Sequence, residues 1–113
     1  MRVEKPWGYE IRWAITDKYL GKILHINPNS RLSRQYHEQK KETIYVLEGT
    51  LYLEIGNQDL VLEVGERRTI NPNTVHRFCA RDQSCTLIEV STPEIDDVVR
   101  LEDKYSREAL DNE

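Results

Sequence analysis

The sequence predicts an all-β sandwich or barrel, and three observations lead to it. Apolar and polar residues alternate with a period of two, as in Leu51-Tyr52-Leu53-Glu54-Ile55, which puts every second side chain on one face. Turn residues punctuate these runs at Asn27-Pro28-Asn29-Ser30, Gly49-Thr50, Gly56-Asn57-Gln58-Asp59 and Asn71-Pro72-Asn73. No alternation of helical and strand patterns supports a parallel sheet. The length of 113 residues, 38% hydrophobic and 32% charged, suits a single domain over 1–113 with one modest core.

Lys5-Pro6-Trp7-Gly8-Tyr9 reads as a turn, with Trp7 expected to pack on the barrel wall. Strands are predicted over 10–15, 19–26, 31–37, 42–48, 51–55, 60–64, 67–70, 76–80 and 85–90. After Ser91 the pattern changes. Thr92 suits a helix cap and Pro93 the first helical position, which predicts a short helix or arm against the domain. Residues 107–113 are expected to fray or to form a terminal helical turn.

A formal net charge of -4 argues against a diffuse nucleic-acid face. No run approaches the roughly 18 apolar residues of a membrane span. The opening Met1-Arg2-Val3-Glu4-Lys5 has no apolar signal core, so a cytoplasmic location is expected. Cys79 and Cys85 do not make a disulfide framework and are expected as buried free thiols. A homodimer is expected, because a small domain buries a limited fraction of its surface and Trp7-Gly8-Tyr9 offers aromatics to a partner.

Chemistry concentrates in Gln35-Tyr36-His37-Glu38-Gln39-Lys40-Lys41-Glu42. Gln35 and His37, two apart on a strand, share a face. A hairpin around residues 39–41 would bring Glu42 back to face them, and His76 lies far downstream. An isolated His-Glu pair at this spacing is usually two surface residues. Together the four side chains offer two imidazole nitrogens, a carboxylate and an amide oxygen, a candidate divalent-metal site. Zinc is the first expectation, with manganese, iron, cobalt, nickel and copper as alternatives.

The spacing also carries a resemblance. Asn29, Gln35, His37, Glu42 and Gly49 are similar to the first motif of the cupin family, and Gly65, Pro72 and His76 to the second. Asn29 stands where glycine is usual, and Gln35 where histidine is usual. The resemblance implies a double-stranded β-helix, a jelly roll with metal inside, and Gln35, His37, Glu42 and His76 as ligands. Leu32-Ser33-Arg34-Gln35-Tyr36-His37, with Glu42, resembles the type II mannose-6-phosphate isomerases. These are often the C-terminal part of a bifunctional enzyme with a mannose-1-phosphate guanylyltransferase. Lys5-Pro6-Trp7-Gly8-Tyr9, Gly21-Lys22-Ile23 and Asp96-Asp97-Val98-Val99-Arg100, with Asp103, Lys104, Tyr105 and Arg107, extend the similarity over nearly the whole chain.

The resemblance implies a metal-dependent exchange of mannose 6-phosphate and fructose 6-phosphate, with a small sugar phosphate as partner. Lys22 and Glu89 are nominated to carry the proton. Lys22 falls in phase with Leu24 and Ile26, and a cation buried among apolar side chains loses its proton more easily. Equally, it reads as an exposed strand lysine. Arg34, Lys40, Arg77 and Arg100 are candidates to hold phosphate. Lys40 stands where the family carries arginine, which keeps charge but loses the two-pronged grip. A non-catalytic sugar-binding domain and a metal-dependent oxygenase stay open as alternatives.

Overall fold

The structure is a computed structural model that describes residues 1–102. Its strands are β1 (Arg2–Lys5), β2 (Gly8–Ile15), β3 (Leu20–Ile26), β4 (Arg34–Tyr36), β5 (Glu42–Glu48), β6 (Leu51–Ile55), β7 (Gln58–Leu62), β8 (Arg67–Ile70), β9 (His76–Cys79), β10 (Cys85–Ser91) and β11 (Val99–Glu102). They form two antiparallel sheets, a six-stranded one in the order β1-β2-β3-β10-β5-β8 and a five-stranded one in the order β11-β4-β9-β6-β7. This is the all-β architecture that the strand pattern predicted, in the jelly-roll form that the resemblance implied.

Alternation builds the interior. In β6, Leu51, Leu53 and Ile55 are buried while Tyr52 and Glu54 face outward. The same phase directs Ile44 and Val46 of β5, Leu24 and Ile26 of β3, Leu87 of β10 and Phe78 of β9 into one core, with Trp7. Trp7 is therefore an interior residue, unavailable to the partner for which it was expected to provide a surface. Tyr9 stacks on His25, with ring centroids 5.0 Å apart. Gly49 takes a φ of 75°, and a Cβ there would run into the Ser84 carbonyl oxygen, so the turn after β5 requires glycine. Asn29, standing where the motif usually has glycine, adopts a left-handed φ of 57°.

Three expectations are corrected and a fourth is narrowed. The predicted strand over 31–37 pairs as a ladder only through Arg34–Tyr36, with an isolated bridge from Arg31 to Cys79. Residues 39–41 do not close a hairpin: β4 and β5 lie in different sheets, and the segment crosses between them. The chain adds β1, which pairs with β2 despite a single apolar residue, Val3. After Ser91 the expected short helix or arm is an arm, with no helix among the described residues. Bends and turns lead into β11, which pairs with β4. Asp103, Lys104, Tyr105, Arg107 and the predicted terminal turn lie outside the described residues.

Both cysteines are free. Cys85 is buried and Cys79 half-buried. Burial pushes the Cys85 thiol up to about 12. Burial, aided by the Glu54 carboxylate, raises Cys79 to about 11. No helix among the described residues is long and apolar enough to cross a membrane.

Candidate metal centre

Toward one end of the barrel the inward phase changes chemistry. Along β5, Val46 and Ile44 give way to Glu42; along β3, Ile26 and Leu24 give way to Lys22; along β10, Cys85 and Leu87 give way to Glu89; along β9, Phe78 gives way to His76. Register sets these polar ends side by side, with Glu89 opposite Lys22, Ser91 opposite Glu42, and Gln35 opposite His76. Lys22, Gln35, Glu42 and Glu89 line a cavity of about 140 Å³ with Glu10, Arg12, Ser33, His37, Lys40 and Arg100, and His76 lies behind this lining, next to Glu42.

His37, Glu42 and His76 are all buried, at 4%, 2% and 2% exposure. Their ligand atoms lie within 4.8 Å of one another. His37 Nε2 is 3.3 Å from Glu42 Oε2, and His76 Nε2 is 3.9 Å from Glu42 Oε1. The other ring nitrogens are anchored. His76 Nδ1 donates to the Thr74 carbonyl at 2.9 Å, and His37 Nδ1 donates to the Asp97 carbonyl. A carbonyl can only accept, so each Nδ1 carries a proton, and in the neutral ring each Nε2 offers a lone pair on the side of Glu42. Neither Nε2 has a hydrogen-bond partner among the described residues.

Two lone pairs and a carboxylate converging in a buried space is an arrangement that a cation satisfies, so these residues fit a divalent metal. The electrostatics agree. Burial holds His76 below its ordinary value, despite the Glu42 carboxylate, so it stays a neutral ligand. Burial alone would push Glu42 up, but His37 and the Lys40 charge outweigh it and keep the carboxyl ionised. Gln35 lines the same cavity, and its Oε1 accepts a 2.6 Å hydrogen bond from Ser33 Oγ.

Beside this cluster lies a chain of ion pairs. Lys40 Nζ is 2.9 Å from Glu89 Oε2 and 3.4 Å from Glu42 Oε2. Burial works against the Lys40 charge, yet the two carboxylates outweigh it and raise its pKa. Burial, with repulsion from Glu42, pushes the Glu89 carboxyl above the ordinary range. Lys22 is buried, but it does not face only apolar neighbours, since its Nζ lies 3.5 Å from Glu10 Oε2. Arg12 Nε donates to the same Glu10 oxygen at 2.7 Å.

The proposed phosphate holders divide. Arg100 lines the cavity, and Lys40 is inside it, wedged between two carboxylates. Arg34 and Arg77 are not brought there. Each neighbours an inward residue on its strand, Gln35 or His76, and so points to the other face. Arg34 pairs with Glu54 at 3.1 Å. Arg77 donates to the Leu32 carbonyl at 2.9 Å and reaches Glu102 at 3.3 Å. Sequence reasoning gave no role to Glu10 or Asp97. Glu10 had a signal, an acid in phase with the inward side of β2. Asp97 acts on residues 57 to 59 positions away, and no local pattern announces that.

The sequence matches the family described as "Cupin domain" over residues 22–91. Among curated proteins it is 29% identical to the Alginate biosynthesis protein AlgA of Pseudomonas aeruginosa, over 95% of this chain and 23% of that protein. It is also 29% identical to the Mannose-1-phosphate guanylyltransferase RfbM of Salmonella typhimurium, over 94% of this chain and 23% of that protein. The chain thus spans about a quarter of the length of these relatives. The fold resembles KdgF from Halomonas sp., with a TM-score of 0.78, 18% identity, and coverage of 85% of this chain and 88% of that one. It also resembles a cupin-superfamily sugar phosphate isomerase from Silicibacter pomeroyi, with a TM-score of 0.68, 21% identity, and coverage of 74% and 58%. A family match across the strands that carry both motifs, on a double-sheet barrel with its His/Glu/His cluster inside, makes the chain a member of the cupin family.

Proposed function

We propose that the protein is a metal-dependent sugar-phosphate isomerase that interconverts mannose 6-phosphate and fructose 6-phosphate. The observation that carries this reading is the pairing of a His/Glu/His cluster with an ionisable carboxyl, Glu89, in one small polar cavity. The relatives involved in mannose-1-phosphate and alginate chemistry support the sugar class. His37, Glu42 and His76 would hold the metal, zinc by first expectation, with Gln35 beside them. When bound, such a cation supplies Lewis-acid polarisation of a carbonyl.

The chain's own residues do the rest. An aldose and its ketose differ by one proton moved between C2 and C1, with the oxygen protons redistributed in balance. Glu89 is the group suited to carry that proton. Its raised pKa brings it toward the value an acid-base catalyst needs, and Lys40 at 2.9 Å supplies a charge partner when the carboxylate forms. Lys22, with Glu10 as counter-ion, orients that wall of the cavity rather than taking the proton itself. Arg100 at the cavity wall is the remaining candidate to meet the phosphate. We further expect a homodimer, built on the half-exposed apolar side chains of the larger sheet, Trp13, Tyr45, Leu47 and Val90.

The test supplies zinc-loaded protein with either sugar phosphate in heavy water and follows deuterium at C1 and C2. Exchange in the wild type that falls at least 100-fold in Glu89→Gln supports the reading, in line with a general acid-base contribution of roughly 10²–10⁴. No exchange with either sugar by metal-loaded protein would overturn it.

A further inference from the structure

The segment from Thr92 to Val98 passes from the larger sheet to the smaller one, lines the cavity with residues 95–98, and is tied to the residues just after His37. At one end, Thr92 N donates to the Lys41 carbonyl at 3.0 Å, and Lys41 N donates to Thr92 Oγ1 at 3.0 Å. At the other end, one carboxylate gathers three successive amides. Asp97 Oδ1 accepts from Glu38 N at 3.0 Å, and Asp97 Oδ2 accepts from Gln39 N at 2.7 Å and Lys40 N at 2.9 Å. The same residue's main-chain carbonyl accepts the His37 Nδ1 proton.

These two contacts are coupled by geometry. The carboxylate bonds to residues 38–40 while the carbonyl of the same residue meets the ring, so both contacts depend on where Asp97 lies. We propose that Asp97 is the positioning residue for His37: its carboxylate docks residues 92–98 onto the 38–40 segment, so that its own carbonyl selects the Nδ1–H tautomer and turns Nε2 into the cavity. A hydrogen bond to the outer nitrogen of a ligating histidine commonly sets ring orientation and basicity. Here the residue that supplies the bond also carries the tether. His76 has a different arrangement, since its carbonyl acceptor, Thr74, is two residues away on its own segment and needs no long-range tether. It therefore serves as an internal control. The same three amides place Lys40, so the ion pair with Glu89 depends on Asp97 as well.

The consequence for metal binding rests on the isomerase reading, whereas the tautomer does not. The test is nitrogen-15 NMR of the imidazoles in metal-free protein at neutral pH, in wild type, Asp97→Ala and Asp97→Asn, alongside zinc affinity by chelator competition. In wild type His37 should show a protonated Nδ1 and an unprotonated Nε2. In Asp97→Ala that signature should be lost for His37 and kept for His76, with zinc bound about 10–100-fold more weakly. Asp97→Asn keeps the shape and one acceptor oxygen, so it should fall between the two, and it carries the test if Asp97→Ala fails to fold. An unchanged His37 tautomer in a folded variant would overturn the proposal. Loss of the tautomer in the variant, with no zinc binding even by wild type, would uphold the positioning role and overturn the metal reading instead.

Discussion

The two ends of the barrel interior share β3, β5 and β10 and obey opposite rules. At one end Ile26, Ile44, Val46, Leu51, Leu53 and Leu87 are fully or almost fully buried and interlock as a core. At the other, Lys22, Lys40, Glu42, Glu89, His37 and His76 are also buried but ionisable or polar. Burial stabilises the first group directly, by about 1.5–3 kcal/mol for each large apolar side chain. In the second group burial costs free energy, and each charge is kept only by a partner within a few ångströms. The contrast shows that, for the strand residues of both ends, interior position is set by strand phase. What the position does is set by which residue type fills it.

The sharpest way to break the contrast is to remove a single partner at the polar end. Lys40→Ala should destabilise the metal-free protein by about 3–5 kcal/mol, because it strands Glu42 and Glu89 together without a cation. Denaturant unfolding measures this, and a loss under about 1 kcal/mol, the size of an exposed ion pair, would show that the end is wetter than its burial implies. Next comes the apolar end. Ile44→Ala, at a fully buried position, should cost about 2–5 kcal/mol by the same measurement. It should leave the Lys40–Glu89 pair intact, since its harm comes from a cavity rather than a lost charge.

A smaller and pH-dependent effect is expected at Glu10, where the polar end begins. Burial would raise this carboxyl, but Lys22 and Arg12 outweigh it and hold its folded value below the ordinary one. The group therefore adds stability that is present above its unfolded pKa and is lost as pH falls through the depressed folded value. Glu10→Gln should be less stable at neutral pH by about 1.5–3 kcal/mol, the range for hydrogen bonds to charged groups. The gap to wild type should close under acid. A gap that persists there would point to packing rather than charge. The smallest effect is chemical. With Cys85 raised to about 12 and Cys79 to about 11, both thiols should resist alkylation at neutral pH until the protein unfolds.

Much of this arrangement was legible before the fold was known, and the exceptions share a cause. Leu51-Tyr52-Leu53-Glu54-Ile55 gave a strand with its inward face, because a period of two is local and strong. Gln35, His37, Glu42 and His76 stood out by spacing, and the structure lines one cavity with the first three and sets His76 beside Glu42 and opposite Gln35. Phase could also have excluded Arg34 and Arg77, which sit one residue from inward positions and therefore point away. Of the short helix or arm expected after Ser91 the arm forms, because Thr92 and Pro93 suit a bend as well as a cap. The path of residues 92–98 is fixed instead by tertiary bonds from Thr92 and Asp97 to residues 38–41. Partnerships such as Glu10 with Lys22, or Asp97 with the 38–40 amides, are made by sheet register and by a crossing segment. No local pattern encodes either.

Whether the polar end is a metal centre is tested most directly by its metal content. Protein purified with zinc and passed through a desalting column should retain about one ion per chain, measured by elemental analysis. The double variant His37→Ala, His76→Ala should retain none, because it removes both inward-facing Nε2 atoms. Equal metal content in the two proteins, or no retained metal in the wild type, would contradict a metal centre at this end of the barrel.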